Sequence, residues 1–590
     1  MACYCQLCVT SGINLVSTFW TVCLRMCPMW QSNRTAAQKG RKIMLREIRG
    51  AILAAGLATA ALAGAAPALA QDGPRYGGNF IAAIAGEPGG LNPVLWQGAE
   101  PQISTSGLFD PLIMLDMDGN PEGVLAESWS LSDDRRTITF TLHDGVKWHD
   151  GEDLTSDDVL WTFMGSRDGY MPHSRYRSTL DGLVESYAAP DPLTFEITLK
   201  QPYAPFLKVF AASNYAMRIV PKHVYDGTDI QNNDANWAPI GSGPFKFKQW
   251  VRGSHIELER NEDYFVPDLP RIDNLIIRVI PDETARLLAL QQGEVDYLYY
   301  YAVAFSAIPT LQSDDSIVVT NEGAGLQGQV EMLTFNLDRA PFNNLKVRQA
   351  FAYLLDREKI NELVFFGLAR PALSNIGETT PFSSENVQVN YDMGSHEANV
   401  AEADRLLTEA GFPREGDAER FSVNLLHMSG RPYAGKVGEV FAQSLKEVGV
   451  NLTTTPLDRP TFIEMTHAKW DFDLSEQQFT SGAHPYVGIV RYLRSDLHIA
   501  GTYPSNHMGY NNPEIDSLFE ASTTAASDAE EAKIWADAQK ILSEDLPLLP
   551  VVEMPYTNVY RAEWHDVFSS IDGVFDIGRT VWTENGSESR

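Results

Sequence analysis

The stretch 125–163, LAESWSLSDDRRTITFTLHDGVKWHDGEDLTSDDVLWTF, constrains the chain more than any other. Ile138, Phe140 and Leu142 alternate with threonines, the period of two that marks a half-buried strand. Asp144-Gly145 and Asp150-Gly151 are turn dipeptides, because Gly accepts a positive φ and Asp bonds the nearby backbone. Thr155-Ser156-Asp157-Asp158 fits a capping box ahead of Val159, Leu160 and Phe163, which share one helix face. The stretch thus reads as a strand, a turn, a second short strand, another turn and a capped helix, and alternating helices and strands through 345–475 suggest an α/β lobe.

Length, charge and cysteines narrow the class. At 590 residues the chain exceeds one core and is expected to hold two or more lobes. Its net charge of −31 argues against nucleic acid and against an anionic membrane surface, both of which need clustered Lys and Arg. All five cysteines, at 3, 5, 8, 23 and 27, fall in the first 27 residues. Cys5 and Cys8 have no downstream pair to complete a zinc or redox motif.

Met44, Arg46 and Arg49 form a basic start, an Ala- and Leu-rich apolar run follows, and Ala68-Leu69-Ala70 is a small-residue cleavage site before Gln71. This reads as a secretory signal peptide over 44–70, with Met44 the expected start and 1–43 a mis-called extension. The segment before Gln71 holds seven basic residues and one acid, so the mature chain carries 39 against 76, or −37. That mature chain has no cysteine for thiol catalysis, metal binding or lipid tethering, and a free periplasmic protein is expected.

Several motifs are refused on physical grounds. Asp116 to Asn120 with Glu127 suggests a calcium loop, but Pro121 stands where the sharp turn needs Gly. His143 and His149 sit beside turns with no third ligand, so no metal is expected. Gly323-x-Gly325-x-x-Gly328 runs into a strand and not a helix, so it is no dinucleotide site and reads as a flexible crossing. No G-x-S-x-G or H-E-x-x-H occurs.

The run VKWHDGEDLTSDDV resembles the signature of bacterial solute-binding proteins of family 5, which serve ATP-driven importers of peptides, nickel, opines and some oligosaccharides. Phe109-Asp110-Pro111-Leu112 through Trp129, Gly241-Ser242-Gly243-Pro244-Phe245, Pro341-Phe342-Asn343-Asn344 through Asp356-Arg357, and Asn506 through Gly509-Tyr510-Asn511-Asn512-Pro513 extend the resemblance across 77–555. It implies a two-lobed periplasmic-binding-protein fold, cluster C-like, with two hinge crossovers and an extra subdomain in the first lobe. Lobe I is expected over 71–110, 238–322 and 556–590, its extra subdomain over 111–237, and lobe II over 323–555.

The resemblance also implies ligand-binding positions: Trp96, Gln97, Gly98 and Glu100 after the opening loop, and Tyr300 among Tyr299, Tyr300 and Tyr301. Gln327 and Gln329 on the first crossover, and Phe479, Thr480, Ser481, His484 and Tyr486, complete the set. Peptide-binding members commonly carry a Trp and a nearby Asp in this last span, the carboxylate meeting the peptide's ammonium. Here 477–486 holds no acid, and its hydroxyl, amide and aromatic lining would also suit a sugar or a blocked, opine-like compound. Arg491 and Arg494 could meet a ligand carboxylate. The implied function is capture of a short peptide or similar solute for an ABC permease by a monomer with no cofactor and no catalytic residue, with a secreted hydrolase as the remote alternative. The acidic tail 583–590 is expected to fray.

Overall fold

In the computed structural model the strand–turn–helix stretch is built as its residues require, and it anchors one of three principal sheets. The structure describes residues 74–587 apart from 97, 169–179, 213–216, 327, 378–379, 381, 384–390, 430–432, 483 and 526. Thr137–Leu142 buries Ile138, Phe140 and Leu142, and it pairs antiparallel with both Ala126–Leu131 and Thr194–Leu199. Val184–Asp191 completes this four-stranded sheet. At the start of the helix Ser156–Asp168 the Asp158 carboxylate accepts the Thr155 N–H at 3.0 Å. The reciprocal half of the expected box is replaced, because the Thr155 hydroxyl donates to the same carboxylate at 3.4 Å.

The first lobe is a seven-stranded sheet with the order Ile317–Thr320, Asn558–Arg561, Tyr297–Leu298, Asn79–Ile84, Asn274–Val279, His255–Arg260, Phe245–Val251. Asn79–Ile84 runs parallel to Asn274–Val279, so a long connection must join them, and the four-stranded subdomain lies within that connection. The second lobe is a six-stranded sheet with the order Arg370–Pro371, Leu548–Glu553, Gln329–Phe335, Leu474–Thr480, Phe421–Met428, Val450–Leu457. Its faces feed different cores. Leu333, Phe335, Phe351 and Phe441 belong to one, while Val330, Met332, Phe479 and Trp535 belong to the other. The chain passes between the lobe sheets twice, through 321–328 and through 554–557.

Caps follow the sequence closely. Asp282, Asn344, Asp356, Ser395, Asn512 and Ser527 each accept a backbone N–H with the side chain at a helix start. Three further helices run over Glu283–Gln291, His396–Glu409 and Lys436–Glu447. Gly411 and Gly449 then take positive φ to end the last two. Asp116 accepts the N–H groups of Asp118 and Asn120 in a plain turn.

The expectation of a frayed tail is corrected over 583–587, and 588–590 lie outside the described residues. Trp582–Thr583 pairs with Trp564–His565, and Tyr76 and Ser587 exchange two backbone bonds of 2.8 Å. Just before it, buried Arg579 donates to Asp110 at 2.7 Å, Asp576 at 3.1 Å and the Tyr264 hydroxyl at 2.5 Å. Such a network locks the C-terminal segment to the 109–112 run, and removing one charge from it costs about 3–5 kcal/mol.

Candidate functional site: a cleft between two lobes

The crossings leave a cleft between the lobes, and its first wall is built by the aromatic run after Tyr297–Leu298. Asn558, fully buried, accepts from the Tyr297 hydroxyl and the Tyr300 N–H, both at 3.2 Å, and donates to the Glu322 carbonyl at 2.7 Å. The Arg286 guanidinium donates to the carbonyls of Ala302, Ile280 and Pro281 at 2.7–3.1 Å. These bonds fix a segment with little regular structure of its own. The Tyr299 hydroxyl donates to Glu100 at 2.9 Å, which brings two of the expected regions together.

The second wall comes from the C-terminal end of Leu474–Thr480 and from the start of the helix Lys436–Glu447. The Gln478 amide donates to the Tyr433 hydroxyl. Phe305 of the first lobe lies 5.9 Å from Phe365 and 6.1 Å from Tyr433 of the second, ring centre to ring centre. On another flank Tyr203 of the subdomain meets Tyr486 edge-on at 5.7 Å, and the Ala204 N–H donates to the Thr523 carbonyl at 3.0 Å. The lobes thus touch away from the crossings.

Two cavities flank the crossing Met554–Tyr556. One, of about 660 Å³, is walled by Tyr300, Phe305, Phe366, Tyr433 and Tyr556, with Gln478, Lys436 and Glu283 supplying polar groups. Phe366 is half exposed and holds a φ of 58°, a conformation costly for an aromatic residue and found where the surroundings enforce it. The other cavity, of about 580 Å³, is lined by Gln329, Asn321, Arg370 and Glu553, with Gly325 and Gly328 of the first crossing. Arg370 and Glu553 pair at 3.1 Å there. Burial pushes the Glu553 carboxyl up, and Arg370 opposes that shift. The Oε1 atom of Gln329 has no hydrogen-bond partner among the described residues.

The expected site residues divide between these places. Glu100 and Tyr300 lie on the first wall. Gln329 pairs in register with Thr480, and the Ser481 N–H donates to the Gly328 carbonyl at 3.3 Å, so all three sit beside the first crossing. Gly98 has a φ of 130° and precedes the short helix Ala99–Ser104. Trp96 sits against Gly89 and Gly90, whose missing side chains make the room, and its ring is 5.6 Å from Trp237.

Other expectations meet competing partners. Phe479 is fully buried and stacks on Tyr492 at 3.8 Å, on the core side of its strand and not on the cleft side. His484 is buried, bonds Glu531 at 2.6 Å, and has its imidazole pushed down by burial, against the pull of that carboxylate. Arg494 is held by Asp496 at 2.7 and 2.9 Å and by Glu520 at 2.6 Å, which leaves it little to offer a ligand carboxylate. Gln97, Gln327 and the side chain of Tyr301 lie outside the described residues. His149 joins two turns, accepting from the Gly241 N–H and bonding the Gly243 carbonyl, a structural role. Lys436, Glu283, Phe366 and Tyr556 were missed, because no local pattern marks a residue that meets its neighbours only across lobes.

Two α/β lobes, crossed twice and enclosing an aromatic cleft, define a solute-binding protein of the two-lobed periplasmic type. Residues 120–496 match the family described as bacterial extracellular solute-binding proteins, family 5, middle region, and the chain belongs to that family. It is similar to the glutathione-binding protein GsiB of Escherichia coli (strain K12), 26% identical over 507 residues that cover 85% of this chain and 93% of that protein. It also resembles the ABC transporter substrate binding protein CtaP of Listeria monocytogenes, with 26% identity, a TM-score of 0.72, and coverage of 86% and 100%. Helicobacter pylori DppA in complex with the peptide STSA shares the fold, with 22% identity, a TM-score of 0.70, and coverage of 87% and 99%. No helix among the described residues is long and apolar enough to cross a membrane.

Proposed function

We propose that the chain is the extracytoplasmic subunit of an ABC importer, capturing a short peptide or similar solute between its lobes and delivering it to the membrane permease. The observation that carries this reading is the 660 Å³ cavity, whose walls come from both lobes and from the crossing between them. A solute that touches both walls favours the closed arrangement by its differential affinity, and the permease can then read closure. Capture makes and breaks no bond. The leader 44–70 would direct export and be removed after Ala70, releasing a periplasmic protein that begins at Gln71. A mass spectrum of the exported protein tests this, and any residue retained before Gln71 contradicts it.

The ligand test is a thermal-shift screen of the purified protein against di- to pentapeptides, oligosaccharides, opines and nickel. A solute that binds only the folded form stabilises it by about 2.7 kcal/mol at a hundredfold excess over Kd. Stabilisation by peptides is the expected result. Silence across all solutes would overturn the proposal, and hydrolysis of any of them would then point to the enzyme alternative.

A further inference from the structure

We infer that the solute is a zwitterion held across the 660 Å³ cavity, its carboxylate on Lys436 of the second lobe and its ammonium on Glu283 of the first. This rests on the capture reading above and narrows the class of solute.

The two side chains line the same cavity from opposite lobes. Neighbouring charges are already committed. Arg286 is bound to three carbonyls, Asp282 caps the Ala285 N–H at 2.7 Å, and Arg370 is paired with Glu553. Lys436 and Glu283 differ. Neither makes a side-chain hydrogen bond or an ion pair among the described residues, with each other or with any third group, and Glu439 one turn beyond Lys436 does not pair with it.

Both are open to water in the structure as it stands, so they cost little while the cavity is solvated. A solute that fills the cavity displaces that water and changes the balance. An uncharged solute would leave an ammonium and a carboxylate partly desolvated with no partner. A simple anion answers Lys436 and leaves Glu283 worse off, and a cation does the reverse. A molecule with opposite charges at its two ends satisfies both, and it does so only when the lobes are together, so its binding energy is tied to closure. The aromatic rings of Tyr300, Tyr433, Tyr556 and Phe366, which line the same cavity, suit an apolar or planar body. The absence of an acid in 477–486 then finds a physical answer, because the ammonium is met by the opposite wall.

The test uses a tripeptide library in three forms: free, N-acetylated and C-amidated. Each is titrated against the wild-type protein and against K436Q and E283Q by native mass spectrometry. Free peptides should bind at least tenfold more tightly than either blocked form. K436Q should lose the preference against the amide and keep the preference against the acetyl form, and E283Q should do the opposite. A general folding defect would not split the two preferences in this way. Equal binding of free and blocked peptides, or preferences unchanged in both variants, overturns the inference while peptide capture stands. Binding of uncharged oligosaccharides alone overturns the inference and leaves solute capture standing. Binding of no solute in any form overturns the capture reading itself.

Discussion

The cavities on either side of Met554–Tyr556 are similar in size, about 660 and 580 Å³, yet they handle charge in opposite ways. In the smaller, Arg370 and Glu553 come from neighbouring strands of one sheet and satisfy each other at 3.1 Å. In the larger, Lys436 and Glu283 come from different lobes and stay apart. The lesson is that volume does not identify a binding site. A charge pair closed within one lobe makes no demand on a ligand. Opposed charges carried by separate lobes demand one, and they reward it only on closure.

The largest effect should come from reversing one of the open charges. K436E should weaken binding of a free tripeptide about 100-fold, about 2.7 kcal/mol, as measured by calorimetric titration. Neutralising the partner is milder. E283Q should cost about tenfold, in the range of one lost charged hydrogen bond, with the melting temperature of the unliganded protein unchanged. If R370Q weakens binding more than either, the comparison is inverted and the smaller cavity is the site.

Acid should destabilise the second lobe through its buried imidazoles. His467 and His507 stack at 4.4 Å in its core, and burial pushes His467 down to about 4 and His507 well below its ordinary value. An unfolded imidazole takes its proton near pH 6.5, so the unfolded chain binds more protons below that pH. Stability is therefore complete above pH 6.5 and falls as the pH drops from there toward 4. Calorimetry should show the melting temperature a few degrees lower at pH 5 than at pH 7, and His507→Gln should reduce that drop. Binding comparisons belong above pH 6.5.

The smallest effect is expected of R370Q. Its guanidinium is about half exposed, so breaking the pair should cost about 1 kcal/mol in stability and change peptide affinity less than twofold.

Local physics was legible where local residues decide it. The alternation Ile138, Phe140, Leu142, the cap at Asn344 and the helix end at Gly411 all follow from neighbours in sequence. The Gly-rich first crossing and the α/β character followed from the same kind of pattern, whereas the second crossing came from the family resemblance. What escaped was whatever depends on the far partner. Nothing in LSEQQFT tells which alternate side chains face the cleft, and the buried face took Phe479 against Tyr492 while the other gave Gln478 to Tyr433. His484 has the chemistry of a ligand contact, but Glu531, 47 residues on, already holds it. The tail 583–587 has a polar, frayed composition, but Tyr76 at the far end of the chain pairs with it. Lys436 and Glu283, 153 positions apart in sequence, become a pair of interest only once the chain between them has folded into separate lobes.

The most direct test of the account is a crystal structure of the protein with the tightest-binding free tripeptide from the library. The account predicts the peptide in the larger cavity, its carboxylate within hydrogen-bond reach of the Lys436 ammonium and its amino end facing Glu283. A peptide lodged against Gln329 and the Arg370–Glu553 pair, or lying in the larger cavity with both termini turned from these two residues, would contradict it.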